Sequence, residues 1–255
     1  MTRLEVDGVG LEVAHHPREG APTLVFLHEG LGSVAQWRAW PARVADATGM
    51  GWLAYSRQGY GGSDPVDVPR PLSYMHDEAE GALPGLLAAL RVTAPVLYGH
   101  SDGASIALVA AGRRTVDGLR ALVLEAPHVI CEDLSVRSIA AARDAYLQGE
   151  LRERLRRYHG DNVDGAFWGW NRAWLDPGFR RWDLRPELPG VRVPTLVVQG
   201  RDDPYGTLAQ VALVRDGVAG PCEVLLLDGC GHAPHREQPD AVLPAVAAFL
   251  GALRP

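Results

Sequence analysis

Apolar residues along this chain follow two rhythms. Short uninterrupted runs, "TLVFL" (23–27), "PVLY" (95–98), "ALVLE" (121–125), "TLVVQ" (195–199) and "EVLLL" (223–227), are too brief for helices. They lack the alternation of a strand with one wet face, so they read as strands buried on both faces. "LEVDGVGLEVAHH" (4–16) does alternate and predicts a two-stranded hairpin, and "GWLAYS" (51–56) predicts a further strand. Between these runs lie helical patterns: "SVAQWRAWPARVADATG" (33–49), "SYMHDEAEGALPGLLAAL" (73–90), "DGASIALVAAGRR" (102–114) and "DAVLPAVAAFLGALR" (240–254). Pro84 is expected to kink or restart the second of them. Buried strands alternating with helices predict an α/β fold: a mostly parallel, doubly wound sheet of about eight strands.

One stretch breaks the alternation. From Cys131 to about Pro189 no strand pattern occurs. "ELRERLRRY" (150–158) pairs Glu150 with Arg154 and Glu153 with Arg157 at i,i+4 spacing, which predicts a solvated helix. "AFWGWNRAWLDPGFRRW" (166–182) holds Trp168, Trp170, Trp174 and Trp182, four of the chain's seven tryptophans. The expected organisation is a core of residues 1–130 and 190–255 with a helical cap of 131–189. Most such aromatics pack rather than bind. Trp168, Trp170 and Trp174 are the candidates to face a substrate.

Composition narrows the chemistry. The 255 residues carry a formal net charge of -6, which argues against a general nucleic-acid binder. All 25 basic residues are arginine, so a Schiff-base or P-loop lysine and a Ser-Lys dyad are excluded. Three scattered cysteines, Cys131, Cys222 and Cys230, suggest neither a disulfide framework nor a metal site. No cofactor motif is apparent. The opening residues lack the apolar stretch of a signal peptide and no membrane-spanning run follows, so a soluble cytoplasmic protein without a membrane partner is expected. Oligomeric state is not legible.

The strongest chemical signal is Gly99-His100-Ser101-Asp102-Gly103, a G-x-S-x-G between a strand and a helix. Such a tight reversal presents the serine hydroxyl at the sheet edge, beside amide groups suited to an oxyanion. A serine needs a base, and the base needs an orienting acid. "GRDD" (200–203) ends one later strand and "GCGH" (229–232) follows the last, giving the order serine, aspartate, histidine. His232 is the candidate base, with His235 as competitor. Asp202 and Asp203 are the candidate acids.

These motifs, with the "HEGLGS" loop (28–33) and "GYGGSD" turn (59–64), resemble the α/β-hydrolase family along essentially the whole chain. The resemblance implies a triad of Ser101, His232 and, by its spacing rule, Asp203 rather than Asp202. It implies an oxyanion hole from the backbone N–H of Asp102 and one early-loop amide. Glu29 stands where the family usually has glycine, which leaves Gly30, Glu29 and Leu31 as donors in that order. His28 and Arg57 are expected to be structural. The implied activity is cofactor-free serine hydrolysis of a small ester, thioester or amide through an acyl-enzyme. Alternatives are an aminoacyl-ester hydrolase or small peptidase, a carbon–carbon hydrolase of ring-cleavage products, and a non-catalytic receptor on the same scaffold. Asp102 bears on this choice. Ionised ~6 Å from an oxyanion, it would oppose that charge by ~3 kcal/mol at an effective dielectric of ~20. It therefore calls for an internal arginine such as Arg57, for protonation, or for a substrate ammonium group.

Overall fold

The computed structural model describes residues 1–253. Eight strands form one sheet: β1 (Thr2–Val6), β2 (Val9–His16), β3 (Thr23–Leu27), β4 (Gly51–Ser56), β5 (Pro95–His100), β6 (Ala121–Glu125), β7 (Thr195–Gly200) and β8 (Cys222–Leu227). Their spatial order is β1-β2-β4-β3-β5-β6-β7-β8. The hairpin strand β2 runs antiparallel to both β1 and β4, and every later neighbour is parallel. The strands β3, β5, β6 and β7 are buried at every position, as their unbroken apolar runs require. The chain order reverses between β3 and β5. Ligands of such sheets bind beyond the strand C-termini at this kind of switch point, and here the glycine loop after β3 faces Ser101 after β5.

Helices α1 (Trp40–Thr48), α2 (Tyr74–Asp77), α3 (Leu83–Ala89), α4 (Asp102–Arg113), α5 (Asp133–Leu147), α6 (Glu150–His159), α7 (Val163–Leu175), α8 (Leu208–Gly217), α9 (Pro234–Glu237) and α10 (Pro239–Gly251) cover both faces. On one face α1 and α10 bury Val44, Val242, Val246 and Phe249 against β3, β5 and β7. On the other, α4 packs Ile106 and Leu108 in a cluster that continues without a break into Ile139, Phe167, Trp170 and Trp174. The helices α5–α7, which occupy the strand-free stretch, thus share the sheet's own core. That stretch leaves and rejoins the sheet side by side, through an isolated bridge between Ile130 and Asp183 and a bond from the Leu184 amide to the Val129 carbonyl.

Several local expectations are corrected. The helix expected over 33–49 breaks: a 3-10 turn, Val34–Trp37, ends at Arg38 with φ 52°, and α1 begins only at Trp40. Pro41 explains the restart, because proline lacks the amide donor and suits only a helix's first turn. Pro84 does mark a restart: it sits one residue into α3, after a π-helical stretch Glu78–Ala82 that continues α2. Widening that turn accommodates the donor the proline lacks. The helix α6 forms, but neither expected i,i+4 ion pair does; Arg152 bonds Asp164 at 2.7 Å instead. The closing helix, expected over 240–254, ends at Gly251, and residue 254 lies outside the described residues. The helix α8 is an element beyond those that the sequence pattern predicts.

Candidate active site

Ser101 follows β5 and caps α4 with φ 53° and ψ -117°, a conformation that non-glycine residues rarely adopt. What holds it is close packing on both sides. A Cβ on Gly99 would lie 2.4 Å from the Gly103 carbonyl oxygen, and one on Gly103 would lie 1.9 Å from the Leu27 carbonyl oxygen. Only glycines let α4 press this near to β3. The Ser101 amide donates to the Glu125 carbonyl at the end of β6, which ties the turn to the neighbouring strand.

The loops after β7 and β8 are knitted together. The Asp202 amide donates to the Cys230 carbonyl, and a Cβ on Gly200 would touch the Gly231 carbonyl oxygen at 2.2 Å. This brings Asp203 to His232, whose Nδ1 donates to both carboxylate oxygens at 2.8 and 2.9 Å. The Asp203 side chain also accepts from Gln199 Nε2 and the Tyr205 amide, each at 2.8 Å. Burial disfavours its charge, but the His232 hydrogen bond and charge outweigh that and hold the carboxyl at about 2. Asp202 is exposed and makes no contact with a histidine. With Nδ1 donating to Asp203, neutral His232 presents its Nε2 lone pair to the cavity it shares with Ser101. No hydrogen bond joins Ser101 Oγ to His232; the two residues line the same cavity.

His235 is not a free competitor. Its Nδ1 lies 2.6 Å from the Glu125 carboxylate, which is fully buried and also accepts from the Tyr98 hydroxyl. A third pair lies between these two. His100 Nδ1 stands 3.5 Å from Glu29 Oε2, and its Nε2 donates to the His232 carbonyl at 2.7 Å. Burial works against the imidazolium, but Glu29 overcomes it and raises His100 to about 9; His100 in turn holds Glu29 well below the carboxylate range. The glutamate at the family's glycine position is therefore the counterion of the residue before the serine.

The early loop is held from behind. Arg57 is buried, and its guanidinium donates to the His28 carbonyl at 2.6 Å and the Glu29 carbonyl at 3.1 Å. His28 accepts from the Arg57 amide and donates to the Glu29 carbonyl, with burial and the Arg57 charge holding its pKa well below 6.5. Gly30 and Leu31 line the cavity, and their amides have no acceptor among the described residues. The Asp102 amide, first in α4, likewise has no partner within the helix.

The cavity measures about 100 Å³ and is lined by Glu29, Gly30, Leu31, Ser101, His128, Ile139, Trp170, Tyr205 and His232. Of the three tryptophans expected to meet substrate, only Trp170 reaches it. Trp168 packs edge-on against Tyr146 and Phe167. Trp174 is buried behind the wall, where its Nε1 donates to Tyr74 Oη at 3.0 Å and Asp102 Oδ1 at 3.3 Å. Asp102 is also displaced from its expected position. It is fully buried, does not line the cavity, and takes a 2.5 Å hydrogen bond from the Tyr74 hydroxyl. Burial raises its pKa, and the nearby Arg57 charge with these two hydrogen bonds opposes the rise. Among the described residues no arginine bonds it: Tyr74 and Trp174 donate to this carboxylate, in place of the arginine or the substrate ammonium expected, and Arg57 acts on it only through its nearby charge. His128, Ile139 and Tyr205 were missed in the sequence; only His128, in "EAPH" just past the end of β6, left a trace.

The sequence model of the alpha/beta hydrolase family matches residues 24–245. This chain belongs to that family. It is 24% identical to epoxide hydrolase A of Mycobacterium tuberculosis over 98% of this chain and 97% of that one. It is 28% identical to serine hydrolase BPHL of Mus musculus over 79% and 70% respectively. Its fold superposes on the enol-lactonase of Burkholderia xenovorans LB400 with a TM-score of 0.74 at 22% identity, covering 98% and 99%. Hydrolysis of small molecules is the activity class that the family supports, and the diversity of these names leaves the bond open. Among the described residues no helix is long and apolar enough to cross a membrane.

Proposed function

We propose that this protein is a serine hydrolase that cleaves a small carboxylic ester through an acyl-enzyme, without a cofactor. The observation that carries this reading is one cavity shared by a strained, solitary serine and a histidine whose other nitrogen is fixed by a buried carboxylate. Ser101 Oγ attacks the acyl carbon while His232 Nε2 takes its proton. The oxyanion is received by the amides of Asp102 and Gly30. The intermediate collapses, the leaving alkoxide takes the proton from His232, and the acyl group stays on Ser101. Water then attacks as His232 accepts its proton, and returning that proton to Ser101 Oγ releases the acid. Asp203 stabilises the imidazolium in both halves and keeps Nδ1 as the donor.

The α5–α7 segment acts as the cap: Ile139 and Trp170 close the cavity over Ser101. About 100 Å³ corresponds to roughly three water-sized groups, so a short acyl group is favoured. Ammonium recognition by Asp102 is not favoured, because its carboxylate already accepts from Tyr74 and Trp174. The test is hydrolysis of aryl acetates by wild type and by Ser101→Ala and His232→Ala. Each variant should be folded and lose at least 1,000-fold in kcat, by about the same factor, since the residues act as a unit. A folded Ser101→Ala protein with wild-type turnover would refute the mechanism.

A further inference from the structure

Two polar groups on the cavity wall have no role in that mechanism. His128 is 3% exposed, and its Nδ1 is buried without a partner. Its ring is fixed by edge contact with Trp174 at 5.1 Å, and its carbonyl accepts from Ser105 Oγ at 2.8 Å. Burial is the main influence on it and holds it neutral down to about 3. Trp170 is 6% exposed, and its indole N–H has no acceptor among the described residues. That N–H lies directly against Gly30: a Cβ there would come within 2.2 Å of Nε1. His128 Nδ1 is closed off beside Gly206, so the nitrogen left for the cavity is Nε2. It and the Trp170 indole N–H are reachable, have no partner among the described residues and belong to residues that line the cavity, and polar groups that a ligand closes off need the partner the ligand supplies.

We propose that His128 and Trp170 select acyl groups that carry a small, neutral oxygen substituent, such as an alkoxy, hydroxy or oxo group near the scissile carbonyl. This rests on the acyl-enzyme reading for the chemistry, though not for the binding. An indole N–H only donates, so the substrate must offer an acceptor. Neutral His128 is able to donate or accept, which fits ether, hydroxyl and carbonyl oxygens alike. The substituent should be uncharged because the carboxylate on this wall, Glu29, is already matched by His100. The rest of the lining near Trp170 is apolar, Leu31 and Ile139, and the volume leaves room for little beyond the acyl group itself. A hydrocarbon acyl chain of the same length would desolvate both groups and pair neither, and this is the circumstance in which sites discriminate most strongly.

The experiment compares aryl esters of methoxyacetate and butyrate, which differ by one oxygen for one methylene. Dividing the ratio of their kcat/KM values in a variant by the wild-type ratio removes their unequal intrinsic reactivity. Trp170→Phe and His128→Leu should each lower the methoxyacetate-to-butyrate ratio about tenfold, and His128→Gln should restore part of it. Ratios within twofold of wild type in both Trp170→Phe and His128→Leu would overturn the proposal. A second readout does not need turnover. In ¹⁵N-labelled Ser101→Ala protein, methoxyacetate ester should shift the Trp170 indole N–H resonance, assigned by its loss in Trp170→Phe, and butyrate ester should shift it less. Equal shifts, or none, overturn the proposal. If the wild type hydrolyses neither ester, the acyl-enzyme reading fails, and the indole resonance alone decides this one.

Discussion

Replacing Glu29 by glutamine keeps the side-chain shape and removes the charge that faces His100. The His100 pKa, about 9 against an ordinary 6.5, is the net of that charge and the burial that opposes it. A gap of this size corresponds to at most about 3 kcal/mol, at about 1.4 kcal/mol per pH unit. The sign follows from the folded value lying above the unfolded one. Protonated His100 contributes fully below about pH 6.5, and its contribution is lost as pH rises through about 9. Glu29, held well below its usual range, stays ionised throughout that window. In Glu29→Gln, burial is the largest influence left on His100 and pulls its pKa down, so the window closes, apart from the smaller effect of Glu125. The assay is urea unfolding of both proteins at pH 6.5 and pH 10. Wild type should exceed the variant by about 2–3 kcal/mol at pH 6.5, and the difference should shrink toward zero by pH 10. Groups that titrate alike in both proteins cancel. Parallel stability curves across this range would refute the ion pair.

Three further outcomes follow from contacts described above. Asp203→Asn should lower kcat by roughly 1,000-fold or more, because the amide no longer fixes the imidazole tautomer, while Asp202→Asn should change it less than threefold; steady-state rates check both. Gly103→Ala should fail to give folded protein, or lower Tm by more than 10 °C, since the new methyl would meet the Leu27 backbone rather than a movable side chain; circular dichroism checks it. Asp102→Asn should cost about 1–3 kcal/mol of stability through its Tyr74 and Trp174 bonds, yet leave the relative kcat/KM of an α-amino ester and its uncharged isostere within twofold.

What was legible in the sequence is what short-range chemistry dictates. Apolar runs gave β3, β5, β6 and β7, because strands covered on both faces are apolar through their middle and hold polar residues only near their ends, such as Glu125 and Gln199. The elbow was legible because only glycine fits at 99 and 103. The choice of Asp203 over Asp202 came from the family resemblance, and Asp203 is the one that bonds His232. What was hidden depends on rotation and depth. Trp170 and Trp174 lie four residues apart on α7, yet one lines the cavity and the other anchors to Asp102; the pattern alone does not fix which way α7 is turned. Asp102 reads as a pocket acid until α2 is seen to bring Tyr74 over it. His128, Ile139 and Tyr205 come from three separate segments that meet only through the fold, and the Glu29–His100 and Glu125–His235 pairs join residues 71 and 110 positions apart.

The central claim is a covalent acyl group on Ser101, and the direct measurement is intact-protein and peptide mass spectrometry after acid quench during turnover of a short-chain aryl ester. A mass gain equal to one acyl group is expected, located on the peptide containing Ser101, transient in wild type and absent from Ser101→Ala. Persistence of the adduct in His232→Ala, if it forms there at all, would agree, since deacylation needs the same base. Steady hydrolysis of the ester with the acyl group on another residue, or undiminished in Ser101→Ala, would contradict it.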